Sequence, residues 1–350
     1  MHVLFPPFGR IVPYNSARFH MFVLITSTSA LEFWLSASNR ELFSDPADLK
    51  RTRRTLPANY SADFTIPFIE ETAYVYSLSL PVRVMVPDGN ARHTSSKVRC
   101  SVSKVKLPPK SFIQLDRSVW VSSPELCLTQ IASHYSFAKL VEFINNLCAG
   151  YGLDKKTRFQ QRFCIPVTSL TLIRRFISDK THTISGRRII ERALKYALEN
   201  AYSPRECQLA VLLMLPFSQG GYAVKPPVLN KCIKLSAKAA KLLQRESVCC
   251  DMVWEEEKVI LEYDSNLAHL DQNQHSFDKR KYTALSMDGY KVISVTEDQI
   301  NSFRNVDNLF ISLRRELGMR AKTAELEKYR DRRWEVVHEL LFSKNNFPNK

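Results

Sequence analysis

Acidic residues concentrate between residues 249 and 269, in the stretch CCDMVWEEEKVILEYDSNLAH. Two short apolar runs flank a polar tip of three glutamates there, a pattern that predicts a β-hairpin. With the turn centred on Glu256 and Glu257, Asp251 lies opposite Glu262, and directly opposed residues share one face of a sheet. Asp264 is two residues beyond Glu262 and therefore points the same way. The same register pairs Trp254 with Val259 and Val253 with Ile260.

Three carboxylates on one sheet face repel one another, and burying them unpaired is costly. A divalent cation among them removes that repulsion, and oxygen ligands of this kind suit Mg²⁺, Mn²⁺ or Ca²⁺. We therefore expect Asp251, Glu262 and Asp264 to form a site for a divalent metal ion. The alternative is a solvated sheet face on which the three acids never meet.

The composition is that of an ordinary globular protein with room for two or three domains, since 45% of the 350 residues are hydrophobic and 24% are charged. Eight cysteines are scattered without a Cys-x-x-Cys pair, which argues against a structural zinc site. Most fall in apolar runs and predict buried thiols in a reducing cytoplasm. The most apolar early stretch, Met21 to Ala37, is too short to span a membrane and lacks a basic leader. We therefore expect a cytoplasmic protein with no membrane partner.

The net charge of +15 is unevenly distributed. Residues 1–200 hold 27 basic and 15 acidic side chains, residues 201–310 hold 13 and 14, and residues 311–350 hold 10 and 6. A near-neutral acidic region between basic flanks suits a metal-dependent nucleic-acid enzyme, in which basic residues bind phosphates and acids bind the ion. A charge that only maintains solubility is the alternative. Neither a Gly-x-Ser-x-Gly nucleophile motif nor a glycine-rich phosphate loop occurs.

Short strands and turns are expected over residues 72–122, beginning with the alternating run Thr72 to Leu80 and continuing at 81–87, 98–105, 112–115 and 119–121. Ser123 and Pro124 then predict the start of a helix that continues to His134. An amphipathic helix from Phe137 to Cys148 follows. We therefore predict a β-rich plus helical module over residues 1–150, and a basic helical linker over 151–200.

The elements that position the acids lie in residues 201–310. Ser203 and Pro204 predict a helix with Glu206 in its first turn. Strands are predicted at 228–235, in the hairpin and at 290–296, with a helix over 277–288 and closing helices over 297–303 and 306–317. Residues 236–245 indicate a basic helix or a loop. Residues 311–350 end in one charged helix, from Arg320 to Phe342, whose predicted apolar stripe is Leu326, Tyr329, Trp334, Val337, Leu340 and Leu341.

With this order of elements, residues 203–300 resemble the very-short-patch-repair-like endonuclease domain of the PD-(D/E)XK nuclease superfamily. The resemblance rests on SPRE, CDMVW, VILEYD, the histidine at 269, and the helix and strand in DKRKYTALSMDGYKVISVT. It implies a restriction-endonuclease-like mixed sheet flanked by helices over residues 201–310. The fold class is then α/β, or α+β for the whole chain. The resemblance also implies acids that bind Mg²⁺ for phosphodiester hydrolysis.

The same resemblance implies roles for single residues. Asp251 is the main metal ligand, while Glu262 and Asp264 bind metal or position water. Glu206 reaches in from its helix, and His269 acts as a general base or leaving-group acid. The superfamily usually has lysine where Asp264 stands, so the missing positive charge would come from one of three helix residues, Lys279, Arg280 or Lys281.

Phosphate contacts are expected from two basic groups, one within 236–245 and one on the helix over 277–288. Their members are Lys238, Lys241, Arg245, Lys279 and Arg280. Taken alone, the group on the helix over 277–288 indicates a solvated charged face. The expected partner is a nucleic acid, with DNA as the expected substrate, and a protein partner or a homodimer is a further expectation.

Residues 20–150 bear a weaker resemblance to abortive-infection antitoxin regulators, carried by LPPKSFIQLDRSVWVSSPELCLTQIA. It implies a defence or toxin–antitoxin setting. The sequence leaves two other functions open. One is a catalytically inactive regulator that binds nucleic acid, and the other is an interaction component of a defence system.

Overall fold

The structure is a computed structural model that describes residues 21–56, 64–90, 92, 94–102, 107–153, 161–264 and 272–343. The chain is a mixed α/β protein, as predicted, and forms two compact units. The first unit comprises the described residues up to Ser136 together with Asn146–Lys195. The second comprises Phe137–Asn145 and the described residues from Tyr196 onward. Among the described residues, no helix has the length and apolar character needed to cross a membrane.

The first half of the chain alternates short strands and helices. In order these are β1 (Val23–Ile25), α1 (Ser27–Leu35), α2 (Ala37–Arg40), α3 (Pro46–Thr52), β2 (Arg53–Arg54), α4 (Ile66–Val75), β3 (Val82–Val86), β4 (Val98–Val102), β5 (Phe112–Gln114), β6 (Val119–Ser122), α5 (Pro124–Ile131), α6 (Phe137–Leu147), β7 (Tyr151–Leu153), β8 (Gln161–Phe163), α7 (Leu170–Ser178) and α8 (Arg187–Ala193). Most of α6 belongs to the second unit. The predicted linker therefore contributes a small hairpin and two helices to the first unit.

Six strands of the first unit form one sheet in the order β2-β5-β6-β1-β3-β4. β1 runs parallel to β6 and β3 parallel to β4, while the other neighbours are antiparallel. The core is built on β1 and α1, whose apolar residues are almost fully buried. Trp34 of α1 donates an indole hydrogen bond to the carbonyl of Ser122 at 2.8 Å. The predicted β-rich module is thus a mixed sheet with helices against it.

The strand predicted from Thr72 to Leu80 is wrong, because α4 occupies most of this stretch. Thr65 caps the helix by accepting from the Phe68 amide, and a proline lies in the first turn. The buried residues Phe68, Ile69, Thr72 and Ala73 recur at helical spacing. The window from Thr72 to Leu80 includes only the last residues of α4. It therefore showed a two-residue alternation and not the helical period of the preceding residues.

The second unit contains the elements predicted around the acids. These are α9 (Pro204–Met214), a 3₁₀ turn (Phe217–Gln219), β9 (Val228–Lys234), α10 (Ala237–Leu243), β10 (Ser247–Trp254), β11 (Val259–Asp264), α11 (Gln272–Met287), β12 (Lys291–Thr296), a 3₁₀ helix (Glu297–Ile300), α12 (Phe303–Glu316), α13 (Thr323–Lys328), α14 (Arg330–Val337) and a π-helical turn (His338–Phe342). The segment 236–245 thus forms the helix α10 over Ala237–Leu243. The helix predicted over 297–303 is reduced to the 3₁₀ helix Glu297–Ile300.

The sheet of the second unit has the order β12-β11-β10-β9. β9, β10 and β11 form an antiparallel meander, and β12 joins parallel to β11. The hairpin register is as predicted, with Trp254 paired to Val259 and Val253 paired to Ile260. Helices α10 and α11 pack on this sheet through a cluster that includes Leu243 and Leu285. The predicted mixed sheet with flanking helices is therefore present.

Two cysteines depart from the expectation of buried thiols. Cys232 of β9 and Cys249 of β10 pair directly across the ladder and form a disulfide, and both residues are exposed. Directly opposed strand residues have adjacent Cβ atoms, so the sheet register brings the two sulfur atoms together. Four of the remaining cysteines are buried thiols, namely Cys127, Cys148, Cys207 and Cys250.

The predicted single helix over 320–342 is also wrong, because the chain breaks at Tyr329 between α13 and α14. Trp334, placed on the predicted apolar stripe, is 49% exposed. Arg333 is buried instead, with its Nε 2.7 Å from Asp307 Oδ1 and its Nη1 2.9 Å from the carbonyl of Leu326. Arg333, whose charge is paired with Asp307, therefore lies in the inward position that the predicted apolar stripe gave to Trp334.

Candidate functional site

Four elements of the second unit bring ionisable side chains together. β10 contributes Asp251, β11 contributes Glu262 and Asp264, α9 contributes Glu206, and α11 contributes Lys281. The charge of Asp251 influences the pKa of Glu206, of Glu262 and of Lys281, and Asp264 influences that of Asp251. Five of the six predicted catalytic residues thus form one electrostatically connected group.

Glu206 is held at the start of α9. The Ser203 hydroxyl caps this helix by accepting from the Glu206 amide at 3.1 Å, as the sequence predicts. The side-chain Oε2 of Glu206 accepts from the Tyr202 amide at 2.9 Å and from Asn230 Nδ2 at 2.6 Å. Burial, followed by the negative charge of Asp251, raises the pKa of Glu206. The residue is therefore both fixed in place and able to retain a proton at higher pH than a free glutamate.

Asp251 lies where the β10–β11 ladder opens. The paired register ends at Met252 and Leu261, and the next hydrogen bond runs from the Tyr263 amide to Asp251 Oδ2 at 2.8 Å. Burial raises the pKa of Asp251, and the negative charge of the nearby Asp264 raises it further. The hydrogen bond from the Tyr263 amide acts to lower this pKa. The Asp251 side chain, not a backbone carbonyl, thus accepts the hydrogen bond from the Tyr263 amide. This bond fixes the Asp251 carboxylate beside β11.

Glu262 and Lys281 form a largely buried ion pair, with Lys281 Nζ 2.9 Å from Glu262 Oε1. Burial, followed by the negative charge of Asp251, raises the pKa of Glu262 to about 7, against the opposing effect of Lys281. Burial acts to lower the pKa of Lys281, but the adjacent carboxylates, Glu262 first, raise it overall. Lys281 therefore stays charged and partly compensates an excess of buried negative charge.

The other predicted site residues are placed differently. Asp264 is half-buried at the end of β11, paired to Thr296 of β12. His269 lies outside the described residues. The five predicted phosphate-binding residues are exposed, on or beside α10 and on α11: Lys238, Lys241, Arg245, Lys279 and Arg280. Lys281 is the one of the three candidate cations on α11 that pairs with Glu262.

Sequence reasoning missed a second group of polar contacts beside Glu206. The Tyr263 hydroxyl donates to Glu297 Oε2 at 2.6 Å, and Arg205 Nε donates to the same oxygen at 3.1 Å. Burial and the Glu297 carboxylate raise the pKa of Tyr263 to about 12. Arg205 and Tyr263 each adjoin a predicted acid in sequence, which is the one local indication of this group. Asn230, the partner of Glu206, carries no such indication.

The donor chemistry of this group suits a hard divalent cation, because Glu206 and Glu262 are buried carboxylates, Asp251 is half-buried, and the negative charge of Asp251 raises the pKa of the other two. Within the part of the chain that the structure describes, no three His, Cys, Asp or Glu residues are grouped closely enough to enclose an ion. The carboxylates thus fit Mg²⁺ or Mn²⁺ by ligand type but are not spaced to enclose the ion by themselves. Asp251 and Glu262 are the residues that would hold it.

The sequence matches no protein-family model, and comparisons with curated proteins and with solved structures find no similar chain.

Proposed function

We propose that the second unit is a metal-dependent nuclease of the PD-(D/E)XK type, which hydrolyses phosphodiester bonds of nucleic acid, with DNA as the expected substrate. The observation that carries the proposal is the group formed by the half-buried Asp251, the buried Glu262 and the half-buried Lys281, in which the lysine Nζ lies 2.9 Å from Glu262 Oε1. The order of elements supports it as well, since the helix with Glu206, the strand β9, the hairpin β10–β11, the basic helix α11 and the parallel strand β12 follow in the order that the resemblance implies, with α10 between β9 and β10.

The lysine explains how such a site would work without the usual signature residue. Asp264 occupies the position where the superfamily commonly has lysine, and α11 supplies Lys281 from elsewhere in the fold. An ammonium group at this place would neutralise negative charge that develops on the phosphate. The cationic charge therefore comes from a helix rather than from the strand that carries Glu262.

The remaining residues have assignable tasks. Asp251 and Glu262 would hold Mg²⁺ or Mn²⁺, and a bound ion of this kind polarises the phosphate and activates water. Glu206, whose pKa is raised and whose carboxylate is oriented by Tyr202 and Asn230, would hold or transfer a proton. The exposed basic residues on α10 and α11 would contact the phosphate backbone, which makes binding sensitive to salt.

The test is cleavage of supercoiled plasmid, linear duplex, single-stranded DNA and RNA, with Mg²⁺, with Mn²⁺ and with a chelator. We expect metal-dependent cleavage by the wild type and its loss in Asp251→Asn and Glu262→Gln. Glu256→Gln is the matched control, because this glutamate is exposed at the tip of the same hairpin. Cleavage that survives both site substitutions would refute the assignment. Absence of cleavage on every substrate, with salt-sensitive binding retained, would favour an inactive nucleic-acid-binding regulator.

A further inference from the structure

An open groove lies next to the candidate site in the second unit. β10 lines one side through Ser247 and Cys249, and α11 lines the other through Phe277 and Lys281. Its volume is about 630 Å³, within the range of sites that hold a small organic group. Lys281 also pairs with Glu262, so the groove and the carboxylate group share this lysine. None of the acids assigned to metal binding lines it.

Arg245 and Phe277, which both line the groove, form a cation–π pair. The guanidinium carbon of Arg245 lies 4.7 Å from the centroid of the Phe277 ring. Phe277 itself packs against the core cluster of this unit, which restricts its motion. It precedes Lys281 by one helical turn, or about 6 Å along α11. Stacked guanidinium and aromatic planes are the surfaces on which unpaired nucleobases bind.

The charges in the groove favour a base over a phosphate. Glu246 and Asp278 line it together with the cationic residues. Carboxylates repel phosphate, but they accept hydrogen bonds from the exocyclic amino groups of bases. Lys281 lines the groove and pairs with Glu262, so a phosphate adjoining that base would meet positive charge there. The groove thus offers a stacking surface and hydrogen-bond acceptors to a base, and a cation to its phosphate.

We propose that this groove binds one unpaired nucleobase next to the phosphate cleaved at Asp251 and Glu262, so that the substrate strand is single-stranded at that point. The position of the cleaved phosphate rests on the proposed nuclease function, whereas binding of the base does not. A paired and stacked base in duplex DNA cannot enter without extrusion, which disfavours duplex. The inference therefore names a substrate class, a strand with at least one unpaired base.

The experiment measures binding of the full chain to a labelled oligonucleotide of about 12 nucleotides, single-stranded or as a duplex of the same sequence, by fluorescence anisotropy in EDTA at fixed salt. We expect the wild type to bind the single strand at least tenfold more tightly. Phe277→Leu keeps apolar packing but removes the ring, and should raise the single-strand Kd about tenfold with little change for duplex. Arg245→Lys keeps the charge but removes the plane, and should act in the same direction.

Arg315→Ala is the control, because Arg315 is an exposed arginine on α12 outside the groove. Equal affinity for single strand and duplex, or Phe277→Leu binding like the wild type, would overturn the proposal. If thermal melting shows that Phe277→Leu is not folded at the assay temperature, Arg245→Lys is the deciding variant. Single-strand and duplex Kd values equal to those of the wild type would then overturn the proposal. Ring-dependent single-strand binding without any cleavage in Mg²⁺ would refute the nuclease function and leave the groove. Cleavage with no dependence on Phe277 would refute the groove alone.

Discussion

Replacing Glu262 with glutamine tests the electrostatics of the carboxylate group directly. Burial and the Asp251 charge raise the pKa of Glu262 to about 7, from an ordinary value of 4.5. The folded protein therefore binds this proton more tightly than the unfolded chain does. The resulting stability is fully present below pH 4.5 and is lost as the pH rises through 7. The loss amounts to roughly 3 kcal/mol, most of it between pH 5 and pH 8.

The assay is urea denaturation of wild type and Glu262→Gln at pH 5 and pH 8, in EDTA so that no metal contributes. The wild type should lose about 2 kcal/mol more than the variant between the two pH values. Glu256→Gln, at the exposed hairpin tip, should retain the wild-type pH dependence. Identical pH dependence in wild type and Glu262→Gln would show that Glu262 is ionised normally, and the account of a mutually repelling buried group would fail.

Three further predictions concern the residues around this group. Lys281→Met should destabilise the fold by about 3 kcal/mol at pH 8, where it leaves the Glu262 charge unpaired. The loss should be smaller at pH 5, where Glu262 can be protonated. Equal loss at both pH values in urea denaturation would contradict this. Cys232→Ser should lower the free energy of unfolding by about 3 kcal/mol under oxidising conditions, and a difference from wild type that persists in dithiothreitol would contradict a role for the disulfide. Ser203→Ala should cost about 1 kcal/mol and Ser203→Asn much less, measured by thermal melting, and equal loss in both would refute the capping role.

Features set by neighbours along the chain could be predicted. The hairpin register followed from two apolar runs around an acidic tip, and the cap at Ser203 from a serine before proline with glutamate in the first turn. The local hydrophobic pattern predicted the wrong element at Thr72, where a helical and a strand-like period overlap. It also predicted the wrong buried face at Arg333, which is buried because its charge is paired with Asp307.

The sequence by itself determined the mixed α/β class, the order of the strands in the second unit and the candidate acids, because these depend on periodicity and on residue type. Tertiary structure decided which of three cations on α11 meets Glu262, that Asn230 orients Glu206, and that Cys232 faces Cys249. The physical reason is that each of these contacts joins different elements. Their distances depend on how strands pair and how helices pack against the sheet, and no short window of sequence specifies that packing.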